Sequence, residues 1–367
     1  MVTTTRMILD IAIIGGGLAG LSLAQRLREN KRSVTVFEAR DRFGGRIVSL
    51  PVAHPFRHDL GPSWVWPELQ PHLASFIADE HIAIYPQWLS GSSLYQSERT
   101  SAPQVYVDHG SYAPARRVQG GAYHLIEILL QQLPPSQLKL NHQLREVIDR
   151  GDHIELQFQH ASMLLNVKAR QVVITIPPRL LVSTVMFKPA LDARLHEVMF
   201  NTATWMAGHA KFVVRYPRAF WREAELSGNA LAAYPGAVLA EIFDACDSDG
   251  NDAALSGFFA LPAGLRSQYR DDLEALMLEQ LVRLFGKEAA QPEAILILDW
   301  SEETLTATPQ DAQPLSSHPQ YGHAWLQMDH WHDKLYFGGS ETAAQFGGYL
   351  EGALESTERI MNSLHIV

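Results

Sequence analysis

The chain has 367 residues, of which 46% are hydrophobic and 19% are charged. This composition excludes a wholly disordered chain, and at roughly 150 residues per domain the length favours two or three domains. Thirty basic against forty acidic residues give a net charge of −10, which argues against a nucleic-acid partner and against an anionic membrane surface. A single cysteine, Cys246, excludes an intramolecular disulfide and a cysteine-based metal cluster.

The sequence predicts a cytoplasmic protein without a membrane anchor. No segment reaches the roughly 18 apolar residues of a transmembrane helix. Asp10 interrupts the first apolar run, and glycines instead of a cleavage site end it, so we interpret this run as part of the fold. The single cysteine also suits a reducing compartment. No histidine pair completes a metal-ligand spacing with a third residue, so we predict no metal site.

The first fifty residues predict a strand, a helix and a second strand. Residues 8–14 form a short apolar run that ends in glycine, which is typical of a buried parallel strand. Residues 18–30 carry apolar side chains at helical spacing, and residues 34–37 form the second apolar run. A GxGxxG motif, residues 15–20, lies between the first strand and the helix.

This motif indicates a dinucleotide-binding site. Gly15 permits the tight turn, Gly17 leaves room for a pyrophosphate, and Gly20 lets the helix lie close to the strand. The helix N-terminus offers free N–H groups and the positive end of the helix dipole. Glu38 ends the second strand, where a carboxylate can bind a ribose hydroxyl.

Two further segments are suited to approach a ligand closely. After the acid, the Gly44-Gly45 pair lets the backbone approach, and Arg42 and Arg46 can neutralise phosphate charge. Near the C-terminus, a short strand over 335–337 runs into small residues, and helical spacing follows from Leu350. A helix that begins there points its positive end at whatever lies before it.

With these motifs the sequence resembles the flavin amine oxidases, the family of monoamine, polyamine and L-amino-acid oxidases. The resemblance begins with the arginine and the Gly-Gly-Arg that follow Glu38, and it continues in order along nearly the whole chain. The further blocks that carry it are 59–64 (DLGPSW), 117–121 (RVQGG), 172–178 (VVITIPP), 187–191 (FKPAL), 209–216 (HAKFVVRY), 336–342 (YFGGSET) and 347–353 (GGYLEGA).

The resemblance implies FAD as the cofactor and assigns its site. The residues that it places against FAD are Gly15, Gly17, Leu18, Ala19, Gly20, Glu38, Ala39, Arg40, Gly45, Arg46, Gly61, Pro62, Ser63, Val147, Gly339, Ser340, Glu341, Tyr349 and Leu350. Lys211 matches the family's active-site lysine, which holds a water at flavin N5, and its burial is expected to lower its pKa. Tyr349 matches one of two tyrosines that flank the substrate amine, and Trp64 follows the flavin-lining segment.

Two features of monoamine oxidases are missing at the matched positions. The cysteine that binds flavin covalently would fall within 313–317, where the sequence is Gln-Pro-Leu-Ser-Ser, so we predict non-covalent FAD. The second tyrosine would fall at Pro314 or Leu315. Tryptophans can supply the missing aromatic surface, and the candidates are Trp64, Trp66 and Trp205.

The implied fold class is α/β, a Rossmann-type FAD-binding domain interleaved with an α+β substrate domain of antiparallel sheet and helices, as in monoamine oxidases. We place the FAD-binding domain at 1–75, 117–185 and 318–367, and the substrate domain at 76–116 and 186–317. Apolar spacing predicts a helix over 273–285 in the substrate domain.

The implied chemistry is the oxidation of a carbon–nitrogen bond. A neutral small-molecule amine gives hydride from its α-carbon to flavin N5, the imine hydrolyses to a carbonyl compound, and O2 takes the electrons to give hydrogen peroxide. Two alternatives stay open: an FAD-dependent desaturase or isomerase acting on a C–C bond, and a flavin-binding protein without turnover. The identity of the amine and the oligomeric state are left open by the sequence.

Overall fold

The computed structural model describes residues 2–51, 57–107, 114–313, 315 and 317–364. Its strands, in chain order, are β1 (Val2–Ile14), β2 (Val34–Phe37), β3 (Ser49–Pro51), β4 (Arg57–Asp59), β5 (Ile84–Pro86), β6 (Ser92–Gln96), β7 (Gln104–Tyr106), β8 (Arg116–Val118), β9 (Leu138–Lys139), β10 (Gln143–Asp149), β11 (Ile154–His160), β12 (Met163–Ile174), β13 (Met186–Lys188), β14 (Ala210–Tyr216), β15 (Leu226–Ala232), β16 (Leu239–Asp244), β17 (Ala253–Phe259), β18 (Ala294–Asp299) and β19 (Leu335–Phe337). Its α-helices are α1 (Leu18–Glu29), α2 (Pro71–Asp79), α3 (His124–Gln132), α4 (Pro178–Thr184), α5 (Ala193–Asn201), α6 (Phe220–Glu223), α7 (Ala263–Gln268), α8 (Leu273–Phe285), α9 (Ala324–Gln327) and α10 (Leu350–Ser363).

Two large sheets organise these elements. The first has the order β13-β10-β11-β12-β1-β2-β9, and β19 also pairs with β12. Strands β9, β2, β1, β12 and β19 pair in parallel, whereas β10, β11 and β12 pair antiparallel. The second sheet has the order β18-β14-β17-β16-β15-β6-β7, and its pairs are antiparallel except β15 with β6. The predicted α/β fold class is therefore confirmed.

The predicted strand–helix–strand unit at the start of the chain is also confirmed. β2 pairs in parallel with β1, and α1 connects them. Successive side chains of β1 point to opposite faces of the sheet: Ile11 and Ile13 join the core beneath α1, α3 and α10, and Ala12 and Ile14 join the core on the other face. Burial on both faces explains why the run is continuously apolar.

The second sheet has its own core. Helix α8 spans the predicted residues Leu273–Phe285, and its apolar side chains pack on the sheet. A smaller cluster, which includes Leu60, Val213 and Trp300, joins this sheet to the segments that follow β2. This cluster therefore packs the second sheet against the N-terminal part of the chain.

The domain boundaries stay a prediction, and the two cores show where the chain passes from one sheet to the other. Ile77 and Ile82 belong to the core of the first sheet, and the second sheet is not entered until β6. Further along, β13 pairs with β10, and Leu195 and Met199 of α5 pack in the core of the first sheet. The chain thus returns to the second sheet after α5, because the apolar face of α5 is buried beneath β10–β12.

Within the described residues, no helix is long and apolar enough to cross a membrane. The same residues contain no group of three or more histidine, cysteine, aspartate or glutamate side chains arranged to hold a metal ion.

Candidate functional site

A cavity of about 640 Å³ lies between the N-terminal unit and the second sheet. Its wall includes most of the residues that the sequence assigned to FAD and to catalysis. These are Gly15, Gly17, Leu18, Ala19, Glu38, Ala39, Arg40, Gly45, Arg46, Gly61, Pro62, Ser63, Gly339, Ser340, Tyr349, Leu350, Trp64 and Lys211. Segments up to 335 positions apart in sequence therefore meet at one cavity, although the role of each residue stays a prediction.

The fingerprint glycines form one end of this cavity. Gly15 follows β1 with φ +115°, a conformation that favours glycine. A Cβ on Gly20 would lie 2.0 Å from the Gly15 carbonyl oxygen, so Gly20 permits the contact between α1 and the turn. A Cβ on Gly17 would meet only the Gly44 oxygen at 3.9 Å and Gly45 Cα at 4.0 Å, so the space beside Gly17 belongs to the cavity.

Glu38 is held at the same end by the backbone. Its carboxylate is buried and accepts hydrogen bonds from the Gly16 N–H at 2.7 Å and the Arg40 N–H at 2.9 Å. These bonds hold the carboxylate at the end of β2, where it lines the cavity. A carboxylate oxygen has further lone pairs, so Glu38 can also accept hydroxyl donors.

These residues fit the FAD that the resemblance implies. Helix α1 begins after Gly17 without a side-chain cap, so its first N–H groups are available to a phosphate. Helix α10 begins after Tyr349, also without a side-chain cap, and both Tyr349 and Leu350 line the cavity. The open space at Gly17 and the N-terminus of α1 suit a pyrophosphate. The fixed Glu38 carboxylate suits a ribose, and the N-terminus of α10 suits an electron-accepting ring.

Three of the residues assigned to FAD lie behind the cavity wall. Gly20 packs against Gly15, as described above. Glu341 is buried and binds Arg46, with two nitrogen–oxygen distances of 2.6 and 3.0 Å, so it orients a residue of the wall. The Val147 side chain is fully buried in the core of the first sheet, and its contact with FAD stays a prediction. Leu144, three positions earlier, lines the cavity at the start of β10.

Arg42, one of the two arginines expected to neutralise phosphate charge, does not line the cavity. Arg42 donates to the Gly45 carbonyl oxygen at 3.1 Å, and it lies outside the cavity lining. Arg46 and Arg40 are the arginines that line the cavity. The positive charge available to a phosphate therefore comes from these two residues.

Lys211 is buried at the end of β14 nearest the cavity, as predicted. Its Nζ donates to the Ser63 Oγ at 2.6 Å. It also donates to two backbone carbonyl oxygens, that of Gly61 at 2.7 Å and that of Asp59 at 3.3 Å. Burial lowers the pKa of Lys211 to about 7. The negative charge of Asp59 raises this pKa, and the positive charge of Arg117 lowers it further. The expected direction of the pKa shift is confirmed, whereas a water held by Lys211 stays a prediction.

A buried ionic layer lies behind Lys211. The Asp59 carboxylate accepts hydrogen bonds from the Ser49 hydroxyl at 2.5 Å and the Ala122 N–H at 2.8 Å, and it lies 3.9 Å from Arg117. Arg117 is itself buried and donates to the Asp244 carbonyl oxygen at 3.2 Å. Burial raises the pKa of Asp59. Lys211 therefore faces one buried negative and one buried positive charge.

The opposite end of the cavity is aromatic. Trp64, Trp66, Trp205, Phe258 and Tyr349 all line it. The rings of Trp205 and Tyr349 lie 6.4 Å apart, as do those of Trp64 and Trp66. All three tryptophans proposed as replacement surface thus reach the cavity.

In the segment matched to the covalent cysteine and the second tyrosine, the described residues Gln313, Leu315 and Ser317 are not part of the cavity wall. Pro314 and Ser316 are outside the described residues, and Leu315 is 40% exposed. Residues 304–306 (Thr-Leu-Thr) line the cavity instead. Cys246 is buried in the core of the second sheet, and burial raises the pKa of its thiol. Non-covalent FAD stays a prediction, which this geometry supports.

The polar side chains of the cavity that the sequence reasoning missed include His209 and Glu241. His209 lies two positions before Lys211, and alternation along an extended chain places both on one face. Glu241 is brought to the cavity by strand pairing: Phe258 is the register partner of both Lys211 and Glu241. The spacing to Lys211 could have revealed His209, whereas the register of β16 has no local sequence signal.

Comparisons with known proteins agree with this architecture. Residues 86–360 match the flavin-containing amine oxidoreductase family, and residues 13–79 match an NAD(P)-binding Rossmann-like domain. The chain is 23% identical to the horse amine oxidase [flavin-containing] A, with 97% of this chain and 85% of the horse protein covered.

Solved structures with the same fold include two amine oxidases. A putrescine oxidase bound to putrescine superposes with a TM-score of 0.79 and 18% identity over all of both chains. The cyclohexylamine oxidase from Brevibacterium oxydans superposes with a TM-score of 0.78, 18% identity and coverage of 98% of this chain and 100% of that chain.

Proposed function

The chain belongs to the flavin-containing amine oxidoreductases, and from this membership we propose that it is an O2-dependent oxidase of a small primary amine. The overall reaction converts R-CH2-NH2, O2 and water into an aldehyde, ammonia and hydrogen peroxide. FAD, when bound, supplies the acceptor for the two electrons and the α-hydrogen of the amine. The protein contributes binding, orientation and electrostatics.

The single observation that carries this proposal is the buried Lys211 on the wall of the cavity. With a pKa lowered to about 7 by burial, its amine is shared between the charged and neutral forms near neutral pH. A positive charge held in a dry cavity stabilises negative charge that develops on O2 during reduction. Ser63, which lines the cavity and accepts from Nζ at 2.6 Å, fixes the position of this charge.

The other wall residues divide the cavity into two ends. Gly17, Glu38 and the N-terminus of α1 support binding of the nucleotide part of FAD, because they offer space, a hydroxyl acceptor and phosphate donors. The aromatic end supports binding of an amine in a largely apolar surrounding that excludes water. An amine bound there in its neutral form retains the lone pair that oxidation of the α-carbon requires.

We further propose that the substrate is a diamine whose second, non-reacting amine carries a positive charge. Glu241, Phe258 and Lys211 stand side by side on β16, β17 and β14. Neighbouring strands lie about 4.8 Å apart, so Glu241 is about 10 Å from Lys211 across the sheet. Within the described part of the chain Glu241 has no ion-pair partner, and it lines the cavity. The putrescine found in one structure of the same fold agrees with a diamine substrate.

The first experiment is a screen of the purified yellow protein with amines. Monoamines, 1,4-diaminobutane, 1,5-diaminopentane, longer polyamines and amino acids are compared for O2 consumption and peroxide release. We expect peroxide with at least one amine, and anaerobic bleaching of the flavin by the same amine. Bleaching without O2 consumption would contradict an oxidase, and the absence of any bleaching would favour a flavin-binding protein without amine turnover.

The second-charge proposal is tested by Glu241→Gln. We expect kcat/KM for the diamine to fall at most about fivefold, or ~1 kcal/mol, since Glu241 is exposed and an exposed ion pair contributes little. The kcat/KM for a monoamine of equal length should stay within about twofold of wild type. Glu197→Gln, the same change at an exposed position on α5, serves as the control. An equal loss for both amines would overturn the role of Glu241 in charge recognition.

A cytoplasmic location also stays a proposal. It is supported by the use of one cysteine in 367 residues, which suits a reducing compartment. Fractionation of the producing cells, with the flavin absorbance followed in each fraction, tests it.

A further inference from the structure

His209 is a cavity residue that the mechanism described so far does not use. It directly precedes β14, and Lys211 is two positions further along the same extended segment. At about 3.3 Å per residue the two Cα atoms are roughly 6.6 Å apart, with both side chains on the cavity face. Both residues line the cavity, so His209 lies within reach of a molecule that also approaches Lys211.

The imidazole ring is positioned by an aromatic neighbour. It meets the Phe258 ring edge-on, with 6.4 Å between centroids and an interplanar angle of 80°. The Nζ of Lys211 lies 5.4 Å from the centroid of the same Phe258 ring. Phe258 therefore contacts both nitrogen-bearing side chains.

The two ring nitrogens of His209 differ in their access to the cavity. Nδ1 is buried and makes no hydrogen bond of good geometry among the described residues. A molecule in the cavity can therefore reach the ring only at Nε2, which also makes no hydrogen bond within the described part of the chain. A neutral ring that carries its proton on Nδ1, with the Met206 carbonyl as the nearby acceptor, leaves Nε2 free to accept a hydrogen bond.

The charges around His209 favour the neutral ring. Burial lowers the pKa of His209, and the positive charge of Arg266 lowers it further, whereas the Met206 carbonyl acts in the opposite direction. Arg266 is held close by its hydrogen bond to the Gly208 carbonyl oxygen at 2.9 Å and by its ion pair with Asp299 at 2.6 Å. The other titratable groups that face the cavity nearby are Lys211 and Glu241.

We propose that His209 contacts the substrate, and that its imidazole accepts a hydrogen bond from the N–H of the reacting amine and so orients the amine in the cavity. This inference rests on the proposed amine oxidation. No covalent bond forms or breaks at His209. A role as the base that deprotonates an alkylammonium is disfavoured, because burial lowers the pKa of His209 and an alkylammonium holds its proton more tightly than an imidazole.

The test compares His209→Gln, which keeps an acceptor, with His209→Leu, which removes it. The FAD-loaded proteins are mixed anaerobically with 1,4-diaminobutane, or with the best amine of the screen, and bleaching is followed. We expect His209→Leu to lower the bleaching rate constant divided by Kd about tenfold, and His209→Gln to stay within about threefold. His196→Leu, at an exposed position on α5, is the matched control and should leave the bleaching rate constant and Kd unchanged.

A pH profile gives a readout that a structural role would not move. In wild type, protonation of His209 below pH 6.5 removes the acceptor and repels an ammonium, so kcat/KM should show an acid loss that His209→Gln lacks. Independently, the imidazole C–H signal of His209, assigned by its disappearance in His209→Gln, should shift in the NMR spectrum of the holoenzyme when the amine saturates it.

The outcomes separate this inference from the proposed function. If no amine bleaches the wild-type flavin, the proposed function fails and the inference with it. If wild type is bleached but His209→Leu is equally fast and binds equally well, only the inference is overturned. If His209→Leu does not retain FAD, an NMR signal of His209 that stays unmoved in amine-saturated wild type overturns the inference.

Discussion

The charge of Lys211 is expected to act on the oxygen reaction more than on amine oxidation. Lys211→Met keeps length and apolar packing but removes the charge and the donor at the cavity wall. Anaerobic bleaching by amine should stay within about tenfold of wild type, a barrier change of at most ~1.4 kcal/mol. Reoxidation by air should slow by more than tenfold, because negative charge on O2 loses its partner. Stopped-flow traces of the two half-reactions, recorded separately, measure both effects.

The control for this change is Lys287→Met, which removes the charge of an exposed lysine beyond α8. It should alter neither half-reaction. If Lys211→Met binds FAD fully and reoxidises as fast as wild type, Lys211 is a strand residue without a part in the oxygen reaction.

The ionic layer behind Lys211 is expected to set the pH range of the oxygen reaction. Lys211 is charged below its pKa of about 7, so the enhancement of reoxidation should be present at lower pH and fade as pH rises through that value. The Asp59 charge raises the pKa of Lys211. Asp59→Asn keeps the shape but removes this charge, so the loss of reoxidation rate should begin at lower pH than in wild type.

The measurement is the reoxidation rate of the reduced protein between pH 5 and 10. One stock of reduced protein is mixed with aerated buffers of different pH. Asp79→Asn, the same chemical change at an exposed position on α2, should leave the midpoint unchanged. A midpoint that moves to higher pH in Asp59→Asn would show that the sign of this electrostatic argument is wrong.

At the scale of elements, the GxGxxG motif between β1 and α1 has two roles, which different glycines perform. Gly17 leaves space for FAD, and Gly20 lets α1 pack against the turn. Gly17→Ala places a methyl group in open cavity space, with the nearest protein atom at 3.9 Å, and its backbone φ of −85° suits alanine. The chain should therefore fold but bind FAD at least tenfold more weakly, because the methyl group occupies the pyrophosphate position. Gly20→Ala would place Cβ 2.0 Å from the Gly15 oxygen, so the helix must move away from the turn.

Fluorescence titration with FAD and thermal unfolding of both variants measure the two roles. Gly17→Ala should keep the unfolding temperature of the FAD-free protein, whereas Gly20→Ala should lower it. Tight FAD binding by Gly17→Ala would mean that the pyrophosphate lies elsewhere in the cavity.

At the scale of the whole molecule, local patterns predicted elements and motif residues well. The strand–helix–strand unit, Glu38 and helix α8 follow from spacing, and the family resemblance implied that Lys211 and Tyr349 lie at the same cavity. These features depend on residues close in sequence or on a motif long enough to be unambiguous. Sequence reasoning was therefore strongest where a short segment determines its own geometry.

The features that the sequence did not predict depend on long-range pairing. The point where β10 leaves the cavity, between Leu144 and Val147, is set by the neighbouring strands. The pairing of β13 with β10 and the burial of α5 on the first sheet likewise join segments that are distant in sequence. Glu241 reaches the cavity through the register of β16 against β17, which no local periodicity records.

The last prediction concerns how FAD and the fold stabilise each other. The cavity is lined by both units of the chain, and residues 304–306 beside it contain no cysteine. Non-covalent FAD that binds only the folded chain raises the free energy of unfolding by about 2.7 kcal/mol at a free concentration 100 times Kd. We therefore expect the urea midpoint to rise with added FAD, and acid precipitation to leave all the flavin in the supernatant. A midpoint that is independent of added FAD, together with a yellow pellet, would show covalent attachment, since a tethered flavin cannot exchange with free FAD.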